Sequence, residues 1–340
     1  MDFRPLGRTG VEVSPLCLGA MMFGAWGNRD HDESVRIVHR VLDAGLNFID
    51  TADVYARGES EEIVAKALSG GRRDNVVLAT KFHGPMGDDP NERGNSRRWI
   101  VREVEASLKR LNTDWIDLYQ VHRPEEDTDV EETLSALTDL VRAGKIRYAG
   151  SSTFPASQIV EAQWVARERG LTRFVCEQPP YSLLVRGIEN DVLPTCRRHG
   201  MGVIPWSPLA GGWLSGRWRK GAEPPASTRA ERIPARFDLS RPDNQRKLAA
   251  ADALAVLAEE AGMTLVELAL AWVINHPAVT AAIIGPRTME HLESQLPALD
   301  VRLDDGLLDR IDEIVPPGVT INPVDQGWQN PALEPSARRR

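Results

Sequence analysis

Short apolar runs bounded by turn residues recur along the chain and alternate with longer amphipathic stretches. The runs lack the in-out alternation of half-exposed strands, which is typical of a parallel sheet whose two faces are covered by helices. Eight β/α units predict an α/β protein of the (β/α)8 or TIM-barrel class. The predicted strands are PLCLGA, NFIDT, NVVLATK, WIDLYQVH, IRYAGSS, RFVCEQ, GVIPWS and TAAIIG.

Three segments depart from the repeating unit. Most strands lie roughly thirty residues apart, as a strand, a helix and two loops require. A Gly-, Pro- and Arg-rich insert at about residues 207–244 delays the next helix, and we interpret it as a mobile flap over the barrel mouth. The stretch FRPLGRTGVEVSP predicts a β-hairpin that plugs the barrel bottom. We assign residues 1–318 to a single barrel domain and residues 319–340 to a Pro- and Asn-rich tail, draped or disordered.

Absent motifs and the overall charge disfavour several classes of protein. A doubly wound sheet, the alternative architecture, would carry G-x-G-x-x-G after an early strand, and the chain has neither this fingerprint nor a P-loop. The formal net charge of −8 disfavours nucleic acid. No secretory signal or apolar run of ~20 residues occurs, and the 3 cysteines form no C-x-x-C pair, which argues against disulfides and structural zinc. We expect a cytoplasmic protein without a nucleic-acid, membrane or metal partner, and a homo-oligomer stays open.

Four chemically suitable side chains follow three neighbouring predicted strands. Catalytic groups of such barrels lie at the C-terminal ends of strands. Asp50 closes the second strand with Tyr55 five residues further on, Lys81 closes the third and His122 the fourth. An ammonium beside a phenol lowers the phenol's pKa, and a buried ammonium needs a counter-ion such as Asp50. The set predicts a site that protonates a carbonyl oxygen, and the hydride for reduction must come from a nicotinamide.

Each of these residues alone has an ordinary structural explanation. Lys81 could be a salt-bridge partner, and His122 a structural histidine. Their joint placement favours a catalytic site. A lyase or isomerase that uses Lys81 as a Schiff-base amine is a further alternative.

The motifs FIDTADVY, ATK and LYQVHRP resemble those around the catalytic tetrad of the aldo-keto reductases. The resemblance is to the branch that includes bacterial reductases and potassium-channel β subunits, and it runs from LGRTGVEVSPLCLGAMMFG to EIVPP. It implies that Tyr55 is the general acid, that Lys81 and Asp50 tune it, and that His122 orients the carbonyl. Asp53 matches no catalytic role, and we interpret it as a turn residue.

The same resemblance implies NADPH/NADP+ as cofactor. Ser152, Thr153 and Gln178 would hold the carboxamide, although the family pattern has Ser-Asn at the first two positions. Trp206 would stack on the nicotinamide, and the backbone from Ser207 to Gly212 would cradle the pyrophosphate. The full set of implied cofactor contacts is Gly19, Ala20, Met21, Asp50, Ser152, Thr153, Gln178, Trp206, Ser207, Leu209, Gly211, Gly212, Arg287, His291 and Gln295.

The 2′-phosphate would lie at the start of the helix after the eighth strand. Thr288 is the predicted N-cap of that helix, and Arg287 and His291 suit a phosphate. The family pattern has Glu-Asn where this chain has Ser294 and Gln295.

Aromatic residues in predicted mouth loops suggest an apolar substrate pocket. The predicted pocket residues are Trp26, Phe82, Arg123 and Trp213, with Trp218 nearby. They favour a small apolar or aromatic aldehyde, whereas Arg123 and the flap arginines favour a charged one. We expect an NADPH-dependent reductase of aldehydes or ketones. The alternative is a nicotinamide-binding regulatory or assembly subunit with slow or vestigial chemistry.

Overall fold

Eight parallel strands form one curled sheet in the structure, a computed structural model that describes residues 2–225 and 228–339. Neighbouring strands of the sheet are consecutive in the chain, and the last barrel strand pairs with the first barrel strand. Each strand coincides with one of the apolar runs that predicted it. The strands are β3 (Leu16–Gly19), β4 (Phe48–Asp50), β5 (Val77–Phe82), β6 (Ile116–Val121), β7 (Ile146–Ser152), β8 (Phe174–Gln178), β9 (Gly202–Val203) and β10 (Ala282–Ile284).

Backbone hydrogen bonds close this sheet into a barrel. The amide of Thr280 donates to Val203 O at 2.8 Å, and that of Ile283 donates to Pro205 O at 2.9 Å. A parallel bridge also joins Trp206 to Ile283. The predicted (β/α)8 barrel is therefore confirmed.

A short antiparallel hairpin lies across one end of the barrel. It comprises β1 (Arg4–Pro5) and β2 (Glu12–Val13), and its buried Leu6 and Val13 pack against the apolar barrel interior. Gly7 has a φ of 61°, and a Cβ there would lie 2.6 Å from Val175 O. Only glycine lets the hairpin approach this closely, and the predicted plug is confirmed.

Helices surround the sheet and begin where the sequence offers capping side chains. Asp30 accepts from the amide of Glu33 at the start of the first helix, and Thr264 and Glu267 form a capping box. Within the described ranges, every helix is too short or too polar to cross a lipid bilayer. The helices are α1 (His31–Asp43), α2 (Glu59–Ala67), α3 (Arg97–Leu111), α4 (Val130–Arg142), α5 (Ala156–Arg169), α6 (Val192–His199), α7 (Thr228–Arg232), α8 (Pro242–Glu260), α9 (Leu265–Asn275), α10 (Met289–Glu293), α11 (Asp305–Ile314) and α12 (Pro335–Arg338).

The barrel interior is layered, because side chains two residues apart on a strand point to the same side. The lower layer is apolar and the next layer toward the strand ends is polar. The apolar layer includes Phe48, Ala79, Leu118 and Cys176, and the positions two residues later are Asp50, Lys81, Gln120 and Gln178. The polar layer therefore places the candidate catalytic residues Asp50 and Lys81 at one end of the barrel.

The flap is anchored by an aromatic cluster. Trp213 stacks on Trp218 with ring centroids 4.0 Å apart and on Phe237 at 5.8 Å. The buried ammonium of Lys247 lies 4.6 Å from the Trp213 ring. These contacts fix two parts of the flap against α8.

The first part of the tail, residues 319–327, packs against the flap and α8. Asp325 pairs with Arg236 of the flap at 3.4 Å and with Lys247 at 2.7 Å. Gly327 has a φ of 75°, and a Cβ there would lie 2.6 Å from the Trp206 indole. Residues 319–327 therefore border the mouth, which the sequence did not indicate.

Candidate active site

Lys81 contacts both Asp50 and Tyr55, the two residues predicted to act with it. Its Nζ donates to Asp50 Oδ1 at 2.5 Å, to Thr51 O at 2.8 Å and to Tyr55 OH at 3.2 Å. Lys81 is fully buried and Asp50 nearly so. Strand pairing places Asp50 opposite Ala79, two residues before Lys81 on the same face of β5.

The surroundings of Lys81 keep it protonated. Burial acts to lower its pKa, but the charge of Asp50 and the phenol of Tyr55 act together to raise the pKa above the ordinary value. All three ammonium hydrogens have acceptors. A Schiff base needs the neutral amine, so this environment disfavours the lyase or isomerase alternative.

The second carboxylate oxygen of Asp50 also accepts hydrogen bonds. Oδ2 accepts from Gln120 Nε2 at 3.0 Å and from Gln178 Nε2 at 2.9 Å. The sequence analysis did not identify Gln120 as a site residue. A glutamine inside an apolar strand, two residues before His122, could have indicated that its side chain enters the same polar layer. The two amides fix the carboxylate and satisfy its charge.

Tyr55 and His122 face each other across the mouth. Their rings meet edge to face with centroids 5.7 Å apart. Burial, and then the charges of Lys81 and Arg123, lower the pKa of His122 well below its usual value. The imidazole is therefore neutral near pH 7, and no side chain among the described residues hydrogen-bonds to it. It is free to bind a carbonyl compound.

Asp53 lies in a turn, as the sequence predicted. Its Oδ1 accepts from the amide of Val54 at 2.6 Å, as a turn residue would. The side chain is nevertheless fully buried, and Oδ2 has no partner among the described residues. Burial, then the charges of Glu103 and Glu61, raises the pKa of Asp53 well above its ordinary value.

Of the predicted aromatic pocket residues, Trp26 lies beside the phenol. Its ring centroid is 6.0 Å from that of Tyr55. Glu59 at the start of α2 anchors this loop, because its Oε2 accepts from the amide of Ala25 at 2.7 Å and its Oε1 pairs with His31.

The structure corrects the placement of the other aromatic pocket residues. Phe82 is fully buried and packs on Tyr119, with centroids 4.8 Å apart. Trp213 is also fully buried, and Trp218 is buried with it in the flap cluster. Large apolar rings gain more from packing with each other than from lining a wet mouth.

The predicted carboxamide residues meet at the ends of β7 and β8. Ser152 Oγ donates to Gln178 O at 2.9 Å. Thr153 has a φ of 62°, and its Oγ1 accepts from Arg123 at 3.0 Å and from the Trp206 indole at 3.4 Å. Asparagine adopts this conformation more readily than threonine. The Thr153 hydroxyl accepts from both Arg123 and Trp206. The longer side chain of an asparagine at this position would place its amide elsewhere.

The loop from Ser207 to Gly212 is strongly curved, but several of its amides are already used. The amides of Ala210, Gly211 and Gly212 donate to Ser207 O, Ser207 Oγ and Leu209 O. Among the described residues, the amides of Ser207 and Leu209 have no partner. The number of free amides for a pyrophosphate is thus smaller than the sequence suggested.

Arg217, Arg287 and His291 lie near one another at the start of α10. Thr288 is the N-cap as predicted, accepting from the amide of His291 at 3.3 Å. Burial and the charges of Arg287 and Arg217 lower the pKa of His291. The flap residue Arg217 was not singled out in the sequence. Nearby, Gln295 is buried and its Oε1 has no partner in the described ranges.

The residues at the end of β3 and just after it are mostly buried. Gly19 and Ala20 are buried, and a Cβ on Gly19 would lie 2.6 Å from the Ile283 side chain. The Ala20 amide donates to Asp50 O at 2.8 Å. Of the three predicted cofactor contacts here, only Met21 is partly exposed.

Known proteins resemble this chain over most of its length. The model of the family described as "Aldo/keto reductase family" matches residues 15–316. An uncharacterized oxidoreductase of Bacillus subtilis is 42% identical over 93% of this chain and 96% of its own length. A probable voltage-gated potassium channel subunit beta of Arabidopsis thaliana is 37% identical, over 93% and 97%. The versiconal hemiacetal acetate reductase of Aspergillus parasiticus is 33% identical, over 89% and 94%.

Proposed function

The chain belongs to the aldo/keto reductase family, and from this premise we propose that it reduces aldehydes or ketones with NADPH and takes the proton from Tyr55. The observation that carries the proposal is the buried Lys81, which contacts both Asp50 and Tyr55. A protonated lysine at 3.2 Å favours the phenolate that remains after Tyr55 has given up its proton.

Each side chain of the site has a distinct task in this reaction. The nicotinamide, when bound, supplies the hydride to the carbonyl carbon. The neutral imidazole of His122 donates a hydrogen bond to the carbonyl oxygen and orients it. Tyr55 protonates that oxygen as negative charge develops on it, and Lys81 stabilises the phenolate. Asp50 keeps Lys81 charged and in place.

The residues present fit a phosphorylated nicotinamide dinucleotide. Gln178 uses Nε2 for Asp50, so its Oε1 stays available to accept from a carboxamide. The unpartnered Oε1 of Gln295 can accept from an adenine amino group. Arg217 and Arg287 beside His291 supply the positive charge that a 2′-phosphate requires.

We expect the purified protein to oxidise NADPH in the presence of a neutral aromatic aldehyde, with a higher kcat/KM for NADPH than for NADH. The measurement is the loss of reduced-nicotinamide absorbance with each cofactor. Tight NADPH binding with negligible turnover on a panel of aldehydes and ketones would contradict a reductase. Together with co-purification of a membrane protein, that result would support the regulatory-subunit alternative.

Arg287→Gln is expected to weaken NADPH binding by ~10-fold or more, because a charge-assisted hydrogen bond contributes about 1.5–3 kcal/mol. NADH lacks the 2′-phosphate, so its dissociation constant should change much less. Both constants can be measured by cofactor fluorescence. Arg40→Gln is the control, since Arg40 pairs with Glu293 of the same helix at 2.7 Å and is not among the proposed cofactor contacts. Equal weakening of both cofactors would rule out a 2′-phosphate contact.

A further inference from the structure

The backbone directly after Tyr55 has an unfavourable conformation. Ala56 has a φ of 49° and a ψ of 32°, Arg57 has a φ of 57° and a ψ of 45°, and Gly58 has a φ of 94°. Residues other than glycine rarely adopt such left-handed values. Among the described residues, Ala56 and Arg57 are the only two consecutive non-glycine residues with positive φ. A turn of this kind persists only where the surrounding structure holds it in place.

The support for this left-handed turn comes from Arg110 near the end of α3. Ala56 is half-buried and Arg57 is exposed, so their own packing contributes little. A Cβ on Gly58 would lie 2.5 Å from Arg110 Cδ and 2.9 Å from Arg110 Nε. Only glycine therefore lets the arginine side chain approach the turn this closely.

Two buried carboxylates fix the guanidinium of Arg110. Its Nε donates to Glu61 Oε2 at 2.6 Å, and its Nη2 donates to Glu103 Oε1 at 2.5 Å. The planar fork of an arginine suits two such partners at once. Glu61 Oε1 also accepts from Thr80 Oγ1 at 2.7 Å. Arg110 is thus linked to the start of α2 and to the strand residue that precedes Lys81.

The other end of the segment that carries Tyr55 is also anchored. The amide of Asp53 donates to Lys81 O at 3.1 Å, and the charges of Glu103 and Glu61 act on the buried Asp53 carboxyl. The segment 53–58 therefore has one end attached to β5 and the other end packed on Arg110. The orientation of the phenol depends on both ends.

We propose that Arg110 is a positioning residue for Tyr55. Held by its two carboxylate partners, Arg110 fixes the left-handed turn at residues 56–58 and so keeps the Tyr55 hydroxyl 3.2 Å from Lys81 Nζ. This inference rests on the proposed function and adds a residue to it. A misplacement of about 1 Å can lower the rate of an enzymatic step by ~10²-fold, so a small shift of the turn should have a measurable effect.

The test is a double-mutant cycle of Arg110→Lys and Tyr55→Phe. Lysine keeps the positive charge but lacks the fork that binds both glutamates. The rate of carbonyl reduction is measured in single turnovers with saturating NADPH. We expect Arg110→Lys to lower this rate by ~10-fold or more in the wild-type chain and to leave it unchanged in Tyr55→Phe, which has no hydroxyl to position. The dissociation constant for NADPH should stay near the wild-type value.

Arg73→Lys is the matched control. The Arg73 side chain is 13% exposed, compared with 18% for Arg110, and it also forms an ion pair, with Asp117 at 2.8 Å. Arg73 lies before β5, away from the strand ends that carry the site. Its replacement by lysine should leave the single-turnover rate at the wild-type value.

Gly58→Ala disturbs the same contact without changing any charge. The added methyl group would lie 2.5 Å from Arg110 Cδ, so the turn and the arginine must move apart. We expect this variant to lower the rate in the wild-type chain and not in Tyr55→Phe. It decides the inference if Arg110→Lys does not fold.

The outcomes separate this inference from the proposed function. An equal loss of rate in both backgrounds, or no loss in the wild-type chain, would overturn the positioning role and leave the reductase intact. No reduction by wild type would count against the reductase. The position of Tyr55 is then decided by NMR of protein labelled with carbon-13 at the tyrosine Cζ atoms.

The chain has 4 tyrosines, and the Tyr55 signal is the one that Tyr55→Phe removes. A change in the chemical shift of this signal in Arg110→Lys, but not in Arg73→Lys, supports the positioning role. A signal that Arg110→Lys leaves unchanged excludes it.

Discussion

Tyr55→Phe is expected to lower kcat for carbonyl reduction by ~10²- to 10⁴-fold, the usual contribution of a positioned general acid. The variant keeps the ring and its edge-to-face contact with His122 but removes the hydroxyl that lies 3.2 Å from Lys81 Nζ. The carbonyl oxygen then loses its proposed acid, because His122 is neutral and the ammonium of Lys81 stays paired with Asp50. The loss should appear in single-turnover measurements of NADPH oxidation.

Two further measurements make this result specific. The dissociation constant for NADPH should stay near the wild-type value, since the phenol is not part of the proposed cofactor contacts. Tyr148→Phe removes a hydroxyl from β7 and serves as the control, because half-buried Tyr148 pairs with Leu118 of the apolar layer. A Tyr55→Phe variant with unimpaired single-turnover rates would show that another group protonates the carbonyl oxygen.

The barrel and the position of its polar layer were predictable from local sequence. Continuous apolar runs identified the strands, and the two-residue period of a strand placed Asp50 and Lys81 on the inside once their strands were known. Neighbouring parallel strands end at the same side of a barrel, so the residues that close them meet. These rules depend on backbone geometry alone.

Side-chain burial was less predictable, because it depends on contacts between distant segments. Trp213 was expected at the mouth, but Phe237 of the flap and Lys247 of α8 cover it. The role of Gln120 depends on its distance from Asp50, a residue 70 positions earlier in the chain. Asp53 lies in a turn, and only the fold brings Glu103 of α3 near it.

Separating the buried pair of Lys81 and Asp50 should affect stability and activity differently. Lys81→Met or Asp50→Asn alone is expected to lower the free energy of unfolding by about 3–5 kcal/mol, because each leaves the other charge buried without its partner. The double variant should be destabilised by clearly less than the sum of the two, since it buries no unpaired charge. Urea unfolding of the four proteins gives this coupling.

Activity should not follow the recovery of stability, because the double variant lacks the ammonium that stabilises the phenolate of Tyr55. The exposed pair Lys66 and Asp32 is the matched control: its Nζ–Oδ1 distance is 2.6 Å, but its side chains are 55% and 75% exposed. Lys66→Met and Asp32→Asn should each leave the free energy of unfolding close to the wild-type value, because solvent screens an exposed pair. A double variant as stable as wild type but inactive would show that the charge pair is retained for catalysis. A double variant with wild-type turnover would mean that Tyr55 needs no charged neighbour, which would contradict the proposed mechanism.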